Sequence, residues 1–109
     1  MAFDEILAHR IREVISERDD YSERRMFGGI AFMVGGHMAC GPIGSELMAR
    51  VGSDAYEAAL CEPHVREMEF TGRPMRGFVT VAAEGIAADA QLRRWVERCA
   101  SFAASLPAK

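Results

Sequence analysis

The sequence predicts an α+β domain with helices packed on an antiparallel sheet, in the order α-β-β-β-α-β-β-α. Three observations carry this. Between Arg25 and Val51 the apolar residues fall into three short runs split by glycine-containing breaks, the pattern of a strand meander. From Leu92 to Leu106 they recur at helical spacing within an arc of roughly 120°. Between these stretches lie a short helical segment and two further strand-like runs, and runs of strands flanked by single helices indicate α+β architecture.

Taken in order, Phe3, Ile6, Leu7, Ile11, Val14 and Ile15 fall at helical spacing, which predicts a first helix over roughly Phe3–Arg18 with Asp4 and Glu5 in its first turn. Asp19-Asp20-Tyr21-Ser22 ends it, and His9 lies off the apolar arc as a solvated surface histidine. In the meander, Gly35-Gly36 is a two-residue hairpin spacer and Gly41-Pro42-Ile43-Gly44 a loop. Gly28-Gly29 falls inside the first strand, where glycine marks a bulge or a close approach of backbone. A helix crossing the sheet is preferred there to a bound ligand or partner.

Gly52-Ser53-Asp54 offers an N-cap for a short helix with Tyr56, Ala59 and Leu60 on one face, stopped near Cys61 by Pro63. Val65–Phe70 alternates like a strand with one wetter face, suited to a sheet edge. Thr71-Gly72-Arg73-Pro74 connects it to a fifth strand, Met75–Ala83. Gly85 to Asp89 is a loop, with Asp89 or its neighbour capping the last helix. That helix buries Leu92, Trp95, Val96, Cys99 and Phe102, turns Arg93, Arg94, Glu97 and Arg98 outward, and ends at Pro107.

Composition bounds the function. The 109 residues are read as one domain, 1–109, 50% apolar and 27% charged, the balance of an ordinary globular chain. A net charge of −3 argues against a dedicated nucleic-acid binder. Twelve of the thirteen cations are arginine, a bias assigned to a GC-rich genome ahead of phosphate or carboxylate binding. The charged first twenty residues leave no room for a signal-peptide core, and Ile30–Val34 is too short to cross a bilayer. Three cysteines without framework spacing indicate reduced thiols, so a cytoplasmic protein without membrane contact is expected.

No nucleotide-binding, hydrolase or metalloprotease motif is present. His37, Cys40, Cys61 and His64 mimic a zinc set, but residues three apart on a strand point to opposite faces, and a domain this apolar needs no structural metal. No metal and no cofactor are expected. Arg73 and Arg76 lie in an acid-free stretch, Thr71–Ala83, and with Arg50 could line an anion-accepting patch. Pairing of these arginines with Glu67 and Glu69 is the preferred alternative.

Four segments together resemble the N-terminal domain of TfoX/Sxy proteins: MFGGIAFMVGGHMACG, LMARVG followed by Tyr56–Leu60, FTGRPMRGFVTV, and the closing WVERCASFAASLP. The resemblance covers nearly the whole chain, and Phe70–Phe78 is its most specific piece. It implies an α+β fold similar to the secretion-chaperone architecture, and kinship with bacterial regulators of competence that act with other transcription factors. Those regulators carry a second, helical domain, and this chain stops at Lys109. No catalytic residues are implied. The family-motif positions are Met26, Phe27, Gly28, Gly29, Arg50, Phe70, Thr71, Gly72, Arg73, Pro74, Met75, Arg76, Gly77 and Phe78.

The expected function is therefore that of a stand-alone, non-enzymatic module that contacts another protein, in regulation of transcription or competence. A small-molecule or anion-binding domain is the alternative. A protein partner or a homodimer is expected, the latter through an exposed apolar sheet edge, and sequence-specific nucleic-acid binding is not. The acid-free stretch Arg73–Ala83 is the first candidate for the contact surface.

Overall fold

Asp4 begins the first helix: its carboxylate accepts the backbone N–H of Ile6 at 2.8 Å and of Leu7 at 3.3 Å, satisfying donors that a helix start leaves free. The computed structural model describes residues 4–26, 29–70 and 72–107, the side chains of Met26 and Phe70 excepted. Phe3, placed in the helix by its spacing, lies outside these residues. Helix α1 spans Glu5–Ile15 and buries Leu7, Ala8, Ile11 and Ile15. Ile6 is 73% exposed, since the buried arc follows Leu7 and Ala8 instead. His9 is exposed beside Glu13, as its position off the arc implied.

Six strands follow, β1 Tyr21–Met26, β2 Gly29–Val34, β3 His37–Ile43, β4 Glu46–Arg50, β5 Val65–Phe70 and β6 Arg73–Val81. Helix α2 (Tyr56–Leu60) stands between β4 and β5, a 3₁₀ turn (Ala83–Gly85) follows β6, and α3 runs Asp89–Ser105. The sheet order is β1-β2-β3-β4-β6-β5, antiparallel throughout. The predicted class and element order are found with one strand added, β1, where the sequence suggested a helix end and a break. β1 reads YSERRM and sits at the sheet edge, so it carries no apolar alternation to reveal it. It is held instead by Tyr21 stacked on Phe32 and by Glu23 paired to Arg12.

Because β1 takes Arg25 and Met26, Gly29 opens β2 opposite Met26 and is not a strand-interior glycine. Gly28 lies outside the described residues. The close approach falls at Gly41, where a Cβ would meet the Ile30 carbonyl oxygen at 2.6 Å. Gly41 and Pro42 were expected in a loop. They lie within β3, and the turn shrinks to Gly44-Ser45, with Gly44 at φ +58. Pro42 is tolerated there because the registered β2 pairing has ended at Cys40. Likewise β6 begins at Arg73: Pro74 pairs only with β5, since β4 joins β6 from Phe78 onward. The strand ends at Val81, short of Ala83.

Two caps differ from expectation. Ala55, not Ser53 or Asp54, precedes α2 and gives it no side-chain cap. Asp89 is the first residue of α3 and accepts from Arg10 at 3.3 Å, while the Gln91 side chain takes the Ala88 N–H at 3.0 Å.

All three helices contribute to one buried cluster with the inward residues Phe32, Val34, Cys40, Leu47, Ala49, Val79 and Val81. Leu92, Trp95, Val96 and Cys99 are buried as the stripe predicted. Phe102 is half-buried, because it ends over Gly52 at the rim of the sheet. Trp95 is closed off from water by Arg98 and Arg94, whose guanidinium carbons lie 4.3 and 5.5 Å from its ring centroid while both pair with Glu62. Among the described residues no helix is long and apolar enough to cross a membrane.

Trp95→Ala should therefore cost on the order of 3–5 kcal/mol, the range for removing a large buried aromatic. The midpoint of chemical denaturation measures it, and an unchanged midpoint would refute this packing.

Candidate interaction face

Burying the inward side chains against three helices leaves the other face of the sheet open among the described residues. Strand pairing sets its surface row by row, because directly opposed residues share a face. Ser22 opposes Met33 and Met33 opposes Met38, while Arg50 opposes Phe78 and reaches the Met38 carbonyl, which brings these residues together along one side of the face. A row runs through Gly41, Met48, Thr80 and Arg66. Ala31 and Met48 are only 3% and 7% exposed yet stand outside the core cluster, as residues of this open face must. Gly41 keeps the middle flat: a Cβ there would lie 3.4 Å from the Met48 methyl carbon.

Arg50 ends β4 in a defined pose. Its guanidinium carbon is 5.4 Å from the Phe78 ring centroid and 5.6 Å from that of Phe102, and Nη1 donates to the Met38 carbonyl at 3.3 Å. The irregularity in β2–β3 pairing beside Met33 leaves that carbonyl within reach. Beside Arg50 lies a groove of about 920 Å³ lined by Met33, Met38, Phe78, Arg24, Glu23 and His37, with Ser22 and Gly36 at its margin. Glu23 is engaged by Arg12, at 2.5 Å from Nε and 3.0 Å from Nη2, a bidentate bond that also raises the Arg12 pKa. At the far side Glu46 pairs with Arg66, and that hydrogen bond holds the Glu46 carboxyl below its usual range against the opposing effect of burial.

The anion patch anticipated from Arg50, Arg73 and Arg76 does not assemble. Arg76 lies over the Tyr56 ring of α2 at 5.5 Å, whereas Arg50 stands on the open face. Arg73 opens β6 five residues before Phe78, roughly 16 Å along the strand. Among the described residues neither Arg73 nor Arg76 pairs with Glu67 or Glu69, the preferred alternative; Glu67 instead accepts from the Tyr56 hydroxyl at 3.5 Å.

Of the other motif positions, Phe27, Gly28 and Thr71 lie outside the described residues, as do the side chains of Met26 and Phe70. Gly72 turns β5 into β6 at φ +80, followed by Pro74 and Met75 in β6. Gly77, at φ +95, offers its carbonyl to the N–H groups of Val51 and Gly52 at 2.8 and 3.1 Å. Much of that motif is therefore explained by backbone geometry.

The cysteine and histidine set is dispersed. Cys40 is in the core near Cys99, Cys61 is exposed after α2, and His37 Nε2 meets the Pro107 carbonyl. Among the described residues no group of three or more His, Cys, Asp or Glu could hold a metal ion. Sequence reasoning missed the open-face residues Arg24, Met33, Met38 and Met48. Their period-two spacing in β2–β4 was the available signal, but apolar residues on both faces of a strand read as one core run.

Among the described residues both sheet edges carry exposed charge, where an apolar edge was expected: Ser22–Arg25 on β1 and Arg66, Glu67 and Glu69 on β5 are exposed. The family model of the TfoX N-terminal domain matches residues 13–103. Comparison with curated proteins and with solved structures found no match.

Two measurements check this electrostatic and burial pattern. Burial pushes both core thiols up, Cys99 to about 12, so a thiol-specific chromogenic reagent should titrate Cys61 alone in the native protein and all three cysteines in denaturant. Fast native reaction of Cys40 or Cys99 would contradict it. The lowered Glu46 pKa means its ion pair stabilises above the ordinary carboxylate range and is lost as pH falls through the lowered value. The melting-temperature gap between wild type and Glu46→Gln should be present at neutral pH and narrow only once the pH is taken below the ordinary carboxylate range; a constant gap would contradict that.

Proposed function

The chain belongs to the TfoX N-terminal domain family, and from that premise we propose that it is a non-enzymatic module that holds another protein against its open sheet face, in regulation of transcription or competence. The observation that carries this reading is the grouping of Met33, Met38 and Phe78 on a face no helix covers among the described residues. Methionine is unbranched and polarisable, so it moulds to a partner's side chains without a fixed shape of its own. The contact surface moves accordingly from the acid-free Arg73–Ala83 stretch to this face, of which β6 supplies Phe78 and Thr80.

Duplex DNA suits the surface poorly. The net charge is −3, and Arg12, Arg18, Arg66, Arg93, Arg94 and Arg98 are engaged by carboxylates. Charged edges direct a partner, a second copy included, away from strand addition and toward the face.

The test is a crosslinking pull-down from the native host beside a titration of labelled duplex at physiological salt. Wild type and an Arg73→Ala, Arg76→Ala double variant should capture the same partner, and a Met33→Glu, Met38→Glu double variant should lose it at unchanged melting temperature. Duplex binding should be weak and fade with salt. Tight, sequence-selective binding of DNA by this chain would overturn the proposal.

A further inference from the structure

We infer that the groove beside Arg50 takes an extended protein segment with two carboxylates four residues apart and an apolar side chain midway between them. This deepens the protein-contact reading above and rests on it. The floor of the groove is apolar, with Met33 and Met38 paired at its centre and Phe78 beside them. Its charges are unequal. Glu23 is the acid in the lining, and it is already bound bidentately by Arg12. Arg24 is exposed, and no carboxylate pairs with it among the described residues. Arg50 spends a single described hydrogen bond on the Met38 carbonyl, and two rings hold its guanidinium in place with donors to spare. The groove is thus an apolar floor flanked by two cations, and its complement is an acidic, apolar segment.

Spacing sets the pattern. Arg24 is on β1 opposite Ala31, two residues along from the Met33 row, and Arg50 is on β4. They lie about 14 Å apart across three strand intervals and about 7 Å apart along them, roughly 16 Å in all. Along an extended chain, side chains on one side recur about every 6.8 Å, so residues i and i+4 are about 14 Å apart, a span that the long arginine side chains close. A carboxylate at each end then meets a guanidinium, in the two-pronged geometry Arg favours. The residue at i+2 lands beside Met33 and Met38, whose flexibility makes its identity loose while its apolarity is required. Single-stranded nucleic acid fits less well, because it needs a continuous cationic track and several stacking rings, and this floor offers two separated cations, thioethers and the single ring of Phe78, which already faces Arg50.

The probe is a fluorescein-labelled peptide whose core reads aspartate-serine-leucine-serine-aspartate, titrated by fluorescence anisotropy. Controls replace both aspartates by asparagine, replace the leucine by serine, or bring the aspartates two residues apart. The parent peptide should bind, and each control should bind roughly tenfold more weakly or worse. Arg24→Glu should lose a similar factor, and Arg73→Glu should lose nothing. Equal affinity for the asparagine control, indifference to Arg24→Glu, displacement of the peptide by an oligothymidylate at lower concentration, or a dimer in sedimentation that excludes the peptide would each overturn the inference. If the host partner still depends on Met33 and Met38 while the aspartate peptide fails to bind, the acidic-segment inference alone falls. If neither binds through this face, the protein-contact reading falls with it.

Discussion

The stripe of α3 that carries Leu92, Trp95, Val96 and Cys99 buries itself against β2, β3 and β4, and the positions of the other elements follow from that contact. A helix with one apolar arc can cover one face of a sheet and no more. Helix α1 joins it side by side, α2 covers the β5–β6 end, and all three enter a single cluster. Burying Trp95 requires its exposed rim to be closed, and Arg94 and Arg98 do this while sharing Glu62. The basic side of α3 is thereby drawn into fixed, nearly neutral arrangements with acids.

What one-sided burial leaves behind is a second sheet face with its own rules. Its central residues Ala31, Met48 and Thr80 are buried although they stand outside the helix-packed cluster, and the Met48 methyl lies over Gly41. Such a surface is smooth and apolar at its centre and charged at its margins, with Arg24 and Arg50 on one side and the Glu46–Arg66 pair on the other. It resembles the core of an interface more than a solvated sheet.

The fold was legible wherever burial is one-sided and regular. The α3 stripe, the β5 edge strand and the Gly35-Gly36 hairpin could all be read, since periodicity and φ-permissive residues record them directly. β1 was hidden because an edge strand held by an ion pair and one aromatic stack needs no apolar alternation. Gly41 and Pro42 looked like a loop because their roles, close backbone approach and tolerance past the end of a ladder, depend on neighbours distant in sequence. The candidate face was invisible for a related reason: Met33, Met38 and Met48 are apolar, and only strand register separates them from core residues such as Phe32 and Leu47. The arginines misled in the opposite direction. Arg73 and Arg76 are close in sequence to Phe78, yet Gly77 at φ +95 and the long reach of β6 send them elsewhere.

The charges along β1 and β5 bear on what happens when many copies of this chain meet in a crowded cell. An open antiparallel sheet can recruit further strands at its margins without limit, which is how ordered aggregates propagate. Here the outermost strand at one end displays Glu23, Arg24 and Arg25 in succession, and the other displays Arg66, Glu67 and Glu69. A neighbouring backbone that approached either margin would have to strip water from these groups before forming a ladder. Among the described residues the sheet is therefore terminated chemically at both margins, which makes either edge a poor template for a growing fibril.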